Sequence, residues 1–235
     1  HSYSNYPTFD GDPQYPVGAK LTMLRGFNGR FMIMEQLTGP AGQTYLLRTP
    51  RPGEMNLWAW QTVAQGSEGV IHFRWRSAHR GVEEYWYGVL DHDDVPRARY
   101  QEFKKEGLEI RQVGQELLGS RVISDIAVIH DFEAEWVFDY QYLTDAVRIG
   151  SANNDLFRAA QEIKFNLDII GTRADFRPYK IIFAPNLVMM DEELVAKINR
   201  FVEDGGTFIM GAHSAVKNRD NAMTNQTIPI MGLSK

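Results

Sequence analysis

Cysteine is absent from the 235 residues. That excludes a disulfide framework, a thiolate zinc site, an iron–sulfur cluster and a cysteine nucleophile, and it leaves the redox compartment unreadable. No apolar run is long enough to cross a bilayer as a helix, so a membrane-spanning chain is not expected. Positive charge is in deficit, with 25 Lys and Arg against 30 Asp and Glu for a net charge of −5. Without an electropositive stretch, nucleic acid and anionic membrane are poor partners and a neutral substrate fits better. Phosphate loop, dinucleotide glycine fingerprint and Gly-x-Ser-x-Gly elbow are all missing, which argues against nucleotide-dependent and serine-hydrolase chemistry. The histidines, at 1, 72, 79, 92, 130 and 213, include no pair at metal-helix spacing, so no metal and no cofactor is expected. The start, His1-Ser2-Tyr3-Ser4-Asn5, has neither an initiator methionine nor a signal peptide's apolar core, and it reads as the start of a fragment.

Hydrophobic residues make up 43% of the chain, enough for one sizeable core or two small ones. Residues 1–18 are rich in Pro, Gly, Asp and Tyr without a period and read as a long loop whose preceding strand is missing. A short helix is expected at 19–27. Phe31-Met32-Ile33-Met34 then forms an apolar run stopped by Glu35-Gln36, the pattern of a strand buried on both faces. After a loop at 37–53, Leu57, Trp60, Val63 and Ala64 share one face of a helix over 54–64. Gly69 to Trp75 reads as the next strand, followed by a loop at 76–95 and a helix from about 96 to 118. The unusual residues thus fall just after the carboxyl ends of strands, where a (β/α) barrel places its active site.

A second alternation begins near residue 120. Strands are expected at 125–130, 180–185 and 207–211, with helices at 154–170 and 191–203 and a glycine C-cap at Gly205-Gly206. This half reads as an open, doubly wound α/β sheet. The division expected is therefore 1–119 and 120–235.

Glu35 is the sharpest chemical feature, because a carboxylate directly after an apolar strand is costly unless it meets a solvated cleft or has partners. A strand-terminal glutamate that simply meets solvent is the plain alternative. Tyr45, Trp75, Tyr85, Trp86 and Tyr87 crowd the two loops of the first half, and aromatic faces beside carboxylates can grip the apolar face of a sugar; core packing is the alternative for each. Glu83 and Glu84 are neighbours, so in extended chain only one can point at a common site. Asp91-His92-Asp93-Asp94 has hard-cation ligand types but sits where a solvated turn starts a helix, so no metal is assigned. In the second half His130, Asp131, Glu133, Glu135 and His213 lie beyond strand ends, with loop capping or subunit contact as the preferred role.

Taken in order, Asn5-Tyr6-Pro7, Phe31-Met32-Ile33-Met34-Glu35-Gln36, Gly53-Glu54-Met55-Asn56-Leu57-Trp58-Ala59-Trp60, Phe73-Arg74-Trp75-Arg76 and Leu90-Asp91-His92 resemble glycoside hydrolase family 42, the microbial β-galactosidases. The later run Ile126-Ala127-Val128-Ile129-His130-Asp131-Phe132-Glu133 is similar to the start of that family's trimerisation domain. The resemblance implies an α/β chain: the C-terminal part of a (β/α)8 TIM barrel, then a flavodoxin-like or class I amidotransferase-like open α/β domain that builds a homotrimer. It implies a retaining glycosidase, bacterial and cytoplasmic, that removes terminal β-D-galactosyl residues by double displacement and needs no cofactor. Glu35 matches the nucleophile. Tyr6, Glu84 and Tyr87 match positions that contact galactosyl hydroxyls, and a carboxylate such as Glu84 accepts strong, selective bonds from them. Gln43 falls near where many relatives have a tryptophan against the sugar, and Tyr87 where relatives often have a histidine. The family's acid/base glutamate belongs to an Asn-Glu pair on an earlier strand, and no such dipeptide exists in this chain. Acid assistance is worth about 10²- to 10⁴-fold, so these residues alone are expected to be nearly inactive. The competing reading is an assembly module carrying an inactive partial barrel.

Overall fold

The computed structural model describes residues 2–7, 14–40, 48–141 and 149–223. Two compact units divide the chain, 1–122 and 123–235.

In the first unit, β1 (Ser2–Asn5), α1 (Gln14–Asn28), β2 (Met32–Leu37), α2 (Glu54–Ala64), β3 (Val70–Phe73) and α3 (Ala98–Leu117) alternate along the chain. The strands form a parallel sheet in the order β1-β2-β3. This is a partial (β/α) barrel. Val17 and Leu21 of α1 pack against Phe31 and Ile33, and Met55 and Trp58 of α2 pack against Leu37. Several findings correct the sequence reading. The buried face of α2 carries Met55, Trp58, Ala59 and Thr62, and Leu57 of the expected face is exposed. Residues 2–5 are not loop but a strand, held by β2. The first helix starts earlier, at Gln14 rather than 19. Glu35 lies inside β2, not after it, because pairing with β1 and β3 continues the strand to Leu37. Nor is β2 buried on both faces: Met32 and Met34 are exposed, as is Ile71 of β3, since three strands do not close a barrel over them.

β2 also carries one extra residue. Tyr3 and Ser4 are consecutive in β1 but pair with Ile33 and Glu35, while Val70 and His72 of β3, two apart, pair with Ile33 and Gln36. Such a bulge reverses the alternation of side chains beyond it. Plain alternation would put Glu35 on the helix-facing side with Ile33. The bulge instead gives that side to Gln36, which is fully buried, opposite His72, whose Nε2 meets Glu106 of α3 at 2.7 Å. Glu35 is turned to the other face.

The second unit contains β4 (Ile126–Ile129), α4 (Phe132–Tyr140), α5 (Ile149–Glu162), β5 (Leu167–Ile170), β6 (Ile181–Ala184), α6 (Glu192–Glu203) and β7 (Thr207–Met210). Its sheet is wholly parallel, in the order β5-β4-β6-β7, so the chain winds outward on one side of β4 and then on the other. Ile170, Ile182, Leu187, Ile198 and Phe208 anchor its core. In α6, Leu194, Val195, Ile198 and Phe201 fall on the buried side, Asp191 caps the first turn through Leu194 N at 2.8 Å, and Gly205, at φ +95°, closes the last. The helix expected to run through 170 ends at Glu162, and residues 167–170 form β5. Lys164, at φ +63°, breaks the helix without a glycine, and the apolar run Leu167, Ile169 and Ile170 is buried as a strand beside β4. The helix α4 was not expected at all. Among the described residues no helix is long and apolar enough to cross a membrane.

Candidate active site

Parallel strands end at one rim, and the rim of the first sheet brings together Asn5 of β1 and Tyr6 just after it, Glu35 and Gln36 of β2, and Phe73 of β3 and Arg74 just after it. Asn5 Nδ2 donates to Gln36 Oε1 at 2.9 Å, with both side chains buried. Each is a polar group that would cost about 1–3 kcal/mol if left unpaired there, so the pair fixes β1 against β2 at this level. One residue further along, Tyr6 Oη donates to Glu35 Oε2 at 2.6 Å. Burial first, and then the bond to the Glu35 carboxylate, push the Tyr6 phenol well above its ordinary range. Tyr6 therefore remains a neutral donor at any working pH. One carboxylate oxygen of Glu35 is held and the other, Oε1, has no hydrogen-bond partner among the described residues.

The loop between β3 and α3 closes over this pair. Trp86 meets Tyr6 edge-on at 5.5 Å and Phe73 at 6.1 Å. Arg74 Nη2 donates to Glu83 Oε2 at 2.8 Å, and the charges of both act on the Tyr6 phenol. Glu83 is thus occupied by an ion pair, which separates it from Glu84, whose carboxylate has no hydrogen bond among the described residues. The loop is braced from within: Ser77 Oγ donates to Leu90 O, Gly88 N donates to Ser77 Oγ, and His92 Nε2 lies 3.0 and 2.9 Å from the carbonyl oxygens of Ala78 and Glu84. His92 also packs edge-on to Tyr87 at 5.4 Å.

The loop after β2 docks on the same segment. Thr38 Oγ1 donates to Phe73 O at 2.8 Å and Tyr87 N donates to Pro40 O at 3.1 Å. The fit depends on Gly39, where an added Cβ would stand 2.6 Å from Tyr87 O. Gly39→Ala is expected to lower stability by about 1–3 kcal/mol, the usual cost of overpacking, because the obstruction is backbone. Thermal unfolding of the variant beside the parent measures it; an unchanged midpoint would show that the two loops do not touch.

Of the residues singled out in the sequence, Glu35 and Tyr6 are in direct contact, Glu84 and Tyr87 lie on the loop that covers them, and Gln43, like Tyr45, lies outside the described residues. Arg74 escaped notice, as did the Asn5–Gln36 pair, because their partners are 9 and 31 residues away and no local pattern marks them. The acidic turn is spent on arginines: Asp91 meets Arg99, Asp93 meets Arg97 at 2.6 Å and Asp94 meets Arg76 at 3.1 Å. In the second unit His130 Nδ1 is 2.9 Å from Asn153 Nδ2. Burial lowers its pKa, against the neighbouring carboxylates of Glu135 and Asp131. Arg219 gathers Asp131, Glu133 and Asp191 at 3.0–3.1 Å, tying the ends of β4 and α6 to the segment after β7, while His213 is exposed. Among the described residues no group of three or more histidine and acidic side chains could hold a metal ion.

Comparison with known proteins places this rim in context. The β-galactosidase family model, glycoside hydrolase 42, matches residues 1–113, and the β-galactosidase trimerisation domain model matches residues 124–233. A β-galactosidase of Clostridium cellulovorans is 30% identical over 234 residues, which cover 97% of this chain and 36% of that protein. A β-galactosidase of Bacillus subtilis is 29% identical over 229 residues, 92% of this chain and 34% of that protein. Among solved structures, a β-galactosidase of Bacillus circulans sp. alkalophilus superposes with a TM-score of 0.89 at 28% identity, covering 97% of this chain and 34% of that one. The chain spans about a third of the length of the curated relatives it matches.

Proposed function

Because the chain belongs to glycoside hydrolase family 42, matched in both of its units, we propose that it supplies the nucleophile half of a retaining β-galactosidase site, with Glu35 as the nucleophile. The observation that carries this is the Tyr6–Glu35 contact at 2.6 Å on the rim of a partial barrel. A neutral phenol holds one carboxylate oxygen, and Glu35 Oε1 attacks the anomeric carbon of a terminal β-D-galactosyl unit. The bond to the aglycone oxygen breaks as that oxygen takes a proton from an acid/base glutamate belonging to the part of the barrel that this chain does not include. A galactosyl ester on Glu35 results. Water, deprotonated by the same acid/base group, then attacks from the opposite face, so two inversions give net retention.

Glu84, Tyr87 and Gln43 are assigned to the galactosyl hydroxyls, and Tyr6, matched to the same set by the family resemblance, is assigned instead to holding Glu35. Glu84 fits because it is the acidic residue of its loop left without an ion pair among the described residues, and a charged acceptor binds hydroxyls more strongly than a neutral one. Trapping tests the reading: a 2-fluoro galactosyl substrate with a good leaving group, given to the protein with the complete barrel, is expected to esterify Glu35. Peptide mass mapping that finds the label on another residue, or release of product with inverted configuration, would remove Glu35 from this role.

A second activity resides in the other unit. The match of residues 124–233 to a trimerisation domain supports self-association through residues 123–235, and a homotrimer is the assembly proposed.

A further inference from the structure

The short helix α4 is apolar on two sides. On one, Ala134 and Phe138 are buried against Val188 and Met189. On the other, Trp136 and Tyr140, four residues apart, form one stripe along the helix and are 65% and 83% exposed, while Phe132, one turn earlier, packs edge-on to His130 at 4.4 Å. A helix with one apolar side needs one neighbour; a helix with two needs a second. Two large aromatic rings on one exposed stripe are the composition of an interface core rather than of a solvated face. Elsewhere on the same unit is a second apolar corner. Ile123, Ile163 and Phe165 are 77%, 64% and 52% exposed. They adjoin one another because Asn166 Nδ2 donates to Ile123 O at 2.9 Å, joining the approach to β4 to the approach to β5.

We infer that these two patches are the two halves of one contact between copies of this chain, the α4 stripe of one copy seating on the Ile123–Ile163–Phe165 corner of the next. The inference rests on the self-association proposed above and names its surfaces. A closed ring of three is built from heterologous contacts, in which each copy presents two different complementary patches. A stripe that packed on itself would pair copies about a two-fold axis and stop at a dimer. The unit carries two unlike apolar patches at different places, as a ring requires.

The heterologous geometry can be tested by mixing. In the protein with the complete barrel, Trp136→Lys combined with Tyr140→Ser removes the stripe, and Ile163→Ser combined with Phe165→Lys removes the corner. Each variant alone is expected to weaken self-association by about 30-fold or more, the effect of losing a hot spot, as read by sedimentation velocity. An equal mixture of the two is expected to form a dimer, because the intact stripe of one meets the intact corner of the other. Tyr140→Ser alone, at a position too exposed to unfold the helix, is expected to weaken assembly measurably, with an unchanged circular dichroism spectrum in each case. A corner variant that assembles normally, or a mixture that stays monomeric, overturns the pairing while leaving self-association standing. A parent protein that is monomeric at every concentration overturns both.

Discussion

Glu35→Gln, made in the protein with the complete barrel, is expected to reduce kcat for a β-galactoside by about 10⁴- to 10⁶-fold, the scale on which loss of a catalytic nucleophile registers. The substitution preserves shape. A glutamine oxygen can still accept from Tyr6 Oη, which in the parent lies 2.6 Å from Glu35 Oε2, so the site should fold and bind as before. What is lost is chemical: an amide does not displace the aglycone, and no ester forms for water to open. The expected pattern is therefore a collapse of kcat with an unchanged melting temperature. Turnover above about one percent of the parent would show that another group attacks, since residual activity at that level is far above what loss of a covalent step leaves.

The next largest effect is expected from Tyr6→Phe. This variant keeps the ring that meets Trp86 edge-on at 5.5 Å and deletes only the hydroxyl. A hydrogen bond to a charged acceptor contributes about 1.5–3 kcal/mol, which corresponds to about 10- to 10²-fold in rate. How the loss divides between kcat and KM distinguishes two roles. If Tyr6 acts by orienting Glu35, kcat falls and KM stays nearly constant. If it acts by binding a galactosyl hydroxyl in the ground state as well as the transition state, KM rises and kcat holds. The geometry favours the first outcome, because the hydroxyl is already engaged with Glu35. Steady-state kinetics on both variants separate these cases, and a Tyr6→Phe enzyme with parental constants would remove the hydroxyl from either role.

Tyr6 also shows how a local sequence signal and a tertiary contact differ. In the chain it is one aromatic residue in a segment rich in Pro, Gly and Asp, with no periodicity to mark a strand. Ser2–Asn5 becomes a strand only because β2 offers it a partner, and the preference of four residues for extended structure is too weak to show alone. The same dependence on a neighbour explains β5. Leu167–Ile170 follows a helix so closely that periodicity runs through the boundary, and burial on all four residues then decides in favour of strand. Glu83 and Glu84 were equivalent as neighbours in sequence. Arg74, on a different strand end, resolves them by taking one.

The sequence by itself determined the alternation of short apolar runs with helices, two α/β halves and the exclusion of cysteine chemistry. Those properties reside in composition and in repeats of two and 3.6 residues, which are local and survive without a third dimension. Only the tertiary structure decided which way Glu35 points. The extra residue between Ile33 and Glu35 appears when β2 is laid against β1 and β3, since a bulge is a property of a pair of strands and not of one. That reversal, the Asn5–Gln36 lock and the Tyr6 contact depend on side chains about 30 residues apart. Their free energy is realised only when folding brings them to one rim.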